Sequence, residues 1–289
     1  MNTVTFDKVS KKRGGFTIND LSFTIPEGYI TGFIGPNGSG KTTAIQMLMD
    51  IVHPDEGNIE IYGHSYKNHQ TKQHIGFVYD DLYMYDDFTI KKMKAFIAPL
   101  YNDWNEELFN HYLEQFELPY KKKLKKFSKG MKMKCSLLFA LAHEPDFLIM
   151  DEPTAGLDPI FRRELLGLLQ DLMQNDRQTI FLSTHITTDL DQISDKIVLI
   201  HKGKVLLEIL KEEMHERFHI IKGKSELLDA DTRRLFIGID ETELGFTALF
   251  EGNPELLQEF DVITERVTLE DLMYFYIKRN DPYAASLTS

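Results

Sequence analysis

The chain has 289 residues, 42% hydrophobic and 27% charged, a balance suited to one large globular domain and a small one. A formal net charge of −12 argues against nucleic acid as the main partner, and the single cysteine, Cys135, excludes an internal disulfide and a cysteine-built zinc site. No apolar run approaches the roughly 18 residues that span a bilayer, and Met1 to Lys8 lack the basic-then-apolar layout of a signal peptide. A cytoplasmic protein is therefore expected, with any membrane role supplied through a partner.

Residues 1 to about 80 read as strands and turns around one helix. Residues 29–34 are an apolar run suited to a buried strand. The spacing of Ala44, Ile45, Leu48, Met49 and Val52 predicts a helix over 42–52, stopped by His53, Pro54 and Gly57. Residues 58–62 alternate, as a half-buried strand does. From about Thr89 to Glu144 the pattern is mainly helical. Residues 147–150 read as a buried strand, 159–173 as a helix, and 179–183 and 196–200 as further strands. Strands alternating with helices predict an α/β fold, a mainly parallel sheet with helices around it. After about Leu210 the elements become short and mixed, with a strand at 235–239. Thr268 caps a last helix that opens with Glu270 and Asp271, and the tail from Asn280 reads as frayed.

Gly35-Pro36-Asn37-Gly38-Ser39-Gly40-Lys41-Thr42 fits G-x-x-x-x-G-K-[ST] between a predicted strand and a predicted helix. Glycines let the backbone curl so that its N–H groups face phosphate oxygens, and the helix N-terminus adds partial positive charge. Lys41 brings a full charge to the β- and γ-phosphates, and the Thr42 hydroxyl, with Thr43 beside it, suits Mg²⁺ and phosphate. Downstream, the apolar strand 147–150 ends in Asp151 and Glu152, at the sheet edge where ligands bind. Asp151 is read as a Mg²⁺ ligand, direct or through water, and Glu152 as the base that polarises the attacking water. Taken alone, two acids at a strand end are more often solvated; Lys41 upstream tips the balance.

These motifs, with three more in order, resemble the ABC ATPase family over about Val4 to Leu210. Phe127-Ser128-Lys129-Gly130-Met131 is similar to the family's signature motif, matching at Ser128 and Gly130. Ala155-Gly156-Leu157-Asp158 resembles the D-loop, and Thr184-His185 the switch histidine. The resemblance implies a P-loop ABC ATPase core, with a mainly parallel sheet, an antiparallel β subdomain and a helical subdomain at about 85–145. Residues 1–210 would form this nucleotide-binding domain and 211–289 a small α+β C-terminal accessory domain. It also implies a head-to-tail dimer in which one subunit's phosphate loop and the other's Ser128, Lys129, Gly130 and Asp158 enclose ATP. A helix capped by Ser128 would aim its positive end across that interface.

Three positions depart from the family pattern. Asp80 stands where the Q-loop glutamine is usual, as a shorter, charged candidate for Mg²⁺ through water. The adenine-stacking aromatic is missing at Lys12 or Arg13; either the Arg13 guanidinium or the Phe16 ring would take its place. Met131 replaces a glutamine and donates no hydrogen bond. His185 reads as the γ-phosphate sensor, against the plainer reading of a structural histidine at a strand end. The lysine run from Lys121 to Lys126 reads chiefly as a solvated face, with anionic lipid headgroups as the alternative. Leu82, Tyr83, Tyr85 and Phe88 either line a permease groove or pack internally, and Trp104 reads as packing.

The resemblance therefore implies an ATPase, with ATP and Mg²⁺ as cofactors, that drives a separate transmembrane permease with a second nucleotide-binding subunit, identical or related. It implies no nucleic-acid partner and a place on the inner face of the cell membrane. Export is favoured, and the likeness is to bacterial subunits that export antimicrobial or toxic amphipathic peptides. The alternatives are a soluble ABC ATPase of translation or DNA repair, and a P-loop kinase. Repair members carry long insertions, whereas 110 residues (151 − 41) separate Lys41 from Asp151; translation members carry two cassettes, and a kinase needs neither Ser128 nor His185.

Overall fold

The computed structural model describes residues 1–82, 84–174, 178–257 and 260–280. The first half runs β1 (Asn2–Arg13), β2 (Phe16–Pro26), β3 (Ile30–Ile34), α1 (Lys41–Leu48), β4 (Glu56–Ile61), β5 (His64–Ser65), α2 (His69–Lys72) and β6 (Ile75–Val78). Three helices follow, α3 (Ile90–Ile97), α4 (Glu106–Gln115) and α5 (Lys129–Leu141), and then β7 (Phe147–Asp151), α6 (Pro159–Leu172), β8 (Thr179–Thr184), α7 (Thr187–Ile193), β9 (Lys196–His201) and β10 (Lys204–Leu210). The last stretch is α8 (Lys211–Arg217), β11 (Phe218–Gly223), β12 (Phe236–Thr242), β13 (Gly245–Glu251), β14 (Val262–Arg266) and α9 (Leu269–Asn280).

Among the described residues the strands form three sheets. Strands buried on both faces, such as β3, β7, β8 and β9, make a six-stranded sheet in the order β10-β9-β3-β8-β7-β6, parallel except for the edge strand β10. Alternating strands make an antiparallel sheet, β2-β1-β4-β5. Its apolar face, including Phe6 and Phe23, meets α1 and one face of the main sheet. Phe6, Phe23, Phe33 and Phe181 stack in succession with ring centroids 4.5, 5.2 and 5.3 Å apart. This packing fixes the β1–β2 turn beside the start of α1.

The other face of the main sheet is covered by α5, α6 and α7 in one continuous apolar cluster, which extends to Phe109 and Leu124 on one side and to Leu272 and Phe275 of α9 on the other. The C-terminal strands form the third sheet, β12-β13-β11-β14, all antiparallel. Helix α9 packs on β12, β13 and α7. Thr268 and Asp271 cap it reciprocally: Asp271 N–H donates to Thr268 Oγ1 at 3.1 Å, and Thr268 N–H to Asp271 Oδ2 at 2.9 Å.

Most boundaries shift from the sequence reading by one or two residues, and two shift further. The helix expected over 42–52 ends at Leu48, because Asp50 turns left-handed (φ 62°) and the N–H groups of Ile51 and Val52 both donate to the Gln46 carbonyl. Val52 still packs on the core from that turn, which is why the apolar period outlasts the helix. The strand expected at 235–239 starts at Phe236 and runs to Thr242. Residues 281–289 of the expected frayed tail lie outside the described residues. Among the described residues no helix is long and apolar enough to cross a membrane.

Candidate active site

Strand β3 lies between β8 and β9, and the loop 35–40 turns from its C-terminal end into α1. The turn needs its glycines. A Cβ on Gly35 would sit 2.2 Å from the Ile200 carbonyl oxygen, and Gly40, in the left-handed region at φ 113°, lies under the Phe16 ring. Lys41 opens α1 almost fully buried, and its ammonium has three donors. They meet Gly35 O at 2.6 Å, Pro36 O at 3.2 Å and Glu152 Oε1 at 3.1 Å. Ser39 is buried beneath the loop, and its hydroxyl is without a hydrogen-bond partner among the described residues.

The loop floors a cleft of about 610 Å³. Arg13 and Phe16 of the β1–β2 turn form one wall, Asp80 beyond β6 and Glu152 beyond β7 another, and Asn37, Gly38 and Gly40 to Thr43 the floor. Both candidate adenine contacts thus line the same cleft. Arg13 is exposed and donates to Gln46 Oε1 at 2.7 Å; Phe16 is half-buried.

Asp151 ends β7 almost fully buried and accepts a hydrogen bond from Ser183 Oγ at 2.5 Å, with the Thr42 hydroxyl beside it. Burial pushes its carboxyl above the ordinary carboxylate value; Glu152 and Asp80 push the same way, while the two hydroxyls oppose. Glu152 is left-handed at φ 49°, a conformation costing roughly 1–2 kcal/mol in a residue with a Cβ. Its N–H is held by Ser183, through the carbonyl and Oγ, both at 3.1 Å. The bend aims one carboxylate oxygen at Lys41 and the other at His185 Nδ1, 2.8 Å away. Glu152 thus bridges Lys41 in the cleft to half-exposed His185.

Among the described residues there is no group of three His, Cys, Asp or Glu placed to hold a metal alone. Mg²⁺ asks for less, since it keeps water and takes phosphate oxygens as ligands. The Thr42 hydroxyl beside a buried Asp151, with Asp80 and Glu152 near enough to raise its pKa, is a donor set of the right hardness and sign.

The remaining predicted residues sit elsewhere. Ser128 caps α5, accepting from Met131 N–H at 3.2 Å, and with Lys129 it is exposed. A Cβ on Gly156 would lie 2.7 Å from Lys129 Nζ, so the lysine covers that turn, and Gly130 faces the Phe161 ring. Asp158 caps α6, accepting from Ile160 N–H at 3.2 Å and Phe161 N–H at 3.0 Å. These four residues share one surface, and none of them lines the cleft. Met131 packs on the core.

Leu82 is buried, while Phe88 stacks between the exposed rings of Tyr85 (4.9 Å) and Phe96 (5.7 Å). Tyr83 lies outside the described residues. Trp104 packs against Phe109 at 5.4 Å. Sequence reasoning missed Ser183, which holds both acids, and the pair of part-exposed Arg162 with buried Asp189 at 2.6 Å, which ties α6 to α7 just after His185. Ser183 had a signal: it is a polar residue at the end of an apolar strand, two before His185.

Residues 18–155 match the family described as ABC transporter. The chain is 35% identical over 205 residues to the bacitracin transport ATP-binding protein BcrA of Bacillus licheniformis, covering 70% of this chain and 67% of that one. The protein of the same name from Enterococcus faecalis is 33% identical over 217 residues, 73% of this chain and 70% of its own. A solved ATP-binding subunit of an ABC transporter superposes with a TM-score of 0.67 at 25% identity, over 74% of this chain and 92% of its own. A dimeric ATP-binding cassette bound to ADP and Pi shares the fold, with a TM-score of 0.63 at 23% identity over 72% of this chain and 98% of its own.

Proposed function

Because the chain belongs to the ABC transporter ATP-binding proteins, the ATP-hydrolysing subunits that drive transport, we propose roles for its residues from the cleft outward. The observation that carries them is the bridge of Glu152 between Lys41 and His185 beside buried Asp151. ATP lies over the loop 35–43, with its adenine against Phe16 or Arg13. Thr42, Asp151 and Asp80 would hold Mg²⁺, which would supply positive charge against the phosphates. Lys41 exchanges its Glu152 contact for a phosphate oxygen. That exchange frees Glu152 Oε1 for the attacking water, whose proton it takes, while His185, held by Oε2, turns its other ring nitrogen to the γ-phosphate.

A second subunit completes the site with its own copies of Ser128, Lys129, Gly130 and Asp158. The surface shared by these four supports that reading, since a single chain keeps them out of its own cleft. Residues 1–210 act as the nucleotide-binding domain, with 85–145 as its helical part, and 211–289 as an accessory domain. The subunit works from the inner face of the membrane on a separate permease. Likeness to two relatives named for bacitracin transport favours export of peptides of that kind.

Glu152→Gln tests the central role. It keeps size and the Lys41 contact but removes the base, so steady-state hydrolysis falls by roughly 10²–10⁴ while ATP binding survives. Unchanged turnover would remove Glu152 from this role.

A further inference from the structure

The helical region carries a charge pattern that ATP hydrolysis leaves unused. Between residues 85 and 134 stand eleven lysines (91, 92, 94, 121, 122, 123, 125, 126, 129, 132, 134) and seven acids (86, 87, 103, 106, 107, 114, 117), with no arginine. The local balance is 11 − 7, or +4, in a chain of −12, so the remainder carries −16.

The fold gathers two of the lysine segments. Thr89 bridges to Lys123, Leu124 N–H donates to Phe88 O at 2.9 Å, Lys125 N–H to Asp86 O at 2.9 Å, and Lys91 N–H to Tyr120 O at 3.2 Å. Asp87 pairs with both Lys123 (3.2 Å) and Lys125 (2.7 Å). Lys91, Lys121, Lys122 and Lys126 are exposed and have no carboxylate partner among the described residues. Beside them stand Tyr85, 70% exposed, and Phe96, 58% exposed, flanking Phe88, over whose ring the Lys92 ammonium sits at 3.7 Å.

Three features choose the partner. Protein interfaces enrich arginine and deplete lysine, and this patch is all lysine. A long flexible polyanion would also meet the −16 of the remaining surface, whereas a plane of charge meets one face only and orients the molecule by it. Lysine stems with exposed Tyr and Phe rings suit the boundary between headgroups and acyl chains. We propose that this face docks on anionic phospholipid headgroups of the bilayer, holding the subunit against the membrane beside its permease. The proposal rests on the transport reading for its location but not for its test.

The purified full chain is to be co-sedimented with vesicles of phosphatidylcholine alone and with vesicles doped with phosphatidylglycerol, at low and high salt. At about fivefold in affinity per lysine near an anionic surface, Lys121→Gln/Lys122→Gln/Lys126→Gln should weaken phosphatidylglycerol binding by at least about tenfold, and the matching triple Lys→Arg variant should retain it. High salt should suppress it. ATP hydrolysis in solution should be the same in all three proteins, so the ATPase reading stands or falls separately. Equal binding to both vesicle types, binding unmoved by the glutamine variant, or equally tight binding to a polyuridylate oligonucleotide would overturn the proposal.

Discussion

Arg162 and Asp189 make the most exacting test of how the switch region is held. Asp189 is fully buried in the first turn of α7; its Oδ1 accepts from Arg162 Nε at 2.6 Å, and its Oδ2 has no hydrogen-bond partner among the described residues. Arg162 also donates to Thr188 Oγ1 at 2.9 Å. Arg162→Met keeps the aliphatic stem and strands the carboxylate. Arg162 is part-exposed, so stranding the buried carboxylate costs less than the roughly 3–5 kcal/mol of a fully buried pair; the N-terminal turn of α7 returns about 0.3–1 kcal/mol to the anion, and about 2 kcal/mol is the expected loss. For a chain of this size that lowers the melting temperature by roughly 4–8 °C. Arg162→Met/Asp189→Leu removes both charges and should recover most of the loss. Thermal and urea unfolding of the three proteins decide the matter. A single variant within about 1 kcal/mol of the parent, or a double variant no more stable than the single, would refute the assignment of the stability to charge pairing.

Gly35→Ala puts a methyl against the Ile200 carbonyl, so it should destabilise the loop and abolish nucleotide binding; Gly38→Ala, on the cleft floor, meets no protein atom within 4 Å and should cost the fold only the strain of its positive φ, about 1 kcal/mol. Thermal unfolding without nucleotide separates the two. Asp151 has a folded pKa raised above 3.8, so its contribution to stability is complete at acid pH and lost as pH rises through the folded value. Asp151→Asn should therefore melt higher than the parent at neutral pH in EDTA, lose Mg²⁺-dependent hydrolysis, and show no such advantage at acid pH. Burial pushes the Cys135 thiol up to about 12, so thiol reagents should leave it unmodified in the folded protein and label it once urea unfolds the chain.

The phosphate loop was legible because its chemistry is contiguous. Eight consecutive residues carry turn, charge and hydroxyl, and the flanking apolar runs place them between strand and helix. The parallel sheet was legible for a similar reason, since β3, β7, β8 and β9 are apolar on both faces. What sequence did not reveal depends on pairs far apart. Phe16 reaches Gly40 only because β1 and β2 stack Phe6 and Phe23 on the main sheet. Glu152 splits its carboxylate between Lys41 and His185 only because Ser183 holds its backbone left-handed. Arg162 and Asp189 stand 27 residues apart, and no period links them.

The last helix was legible from its cap, Thr268, and its early acids, Glu270 and Asp271; its apolar face, Leu269, Leu272 and Phe275, was not read. The partner of that face is α7: Leu190 and Ile193 share one core with these residues, the Asp191 carboxylate lies near the Leu269 N–H, and Lys211 Nζ donates to the Asp191 carbonyl. Helix α7 begins two residues after His185, so it is fixed on one side by Arg162 of α6 and on the other by α8 and α9. Packed side chains thus join the helix that follows His185 to α9, and through α9 to the C-terminal sheet.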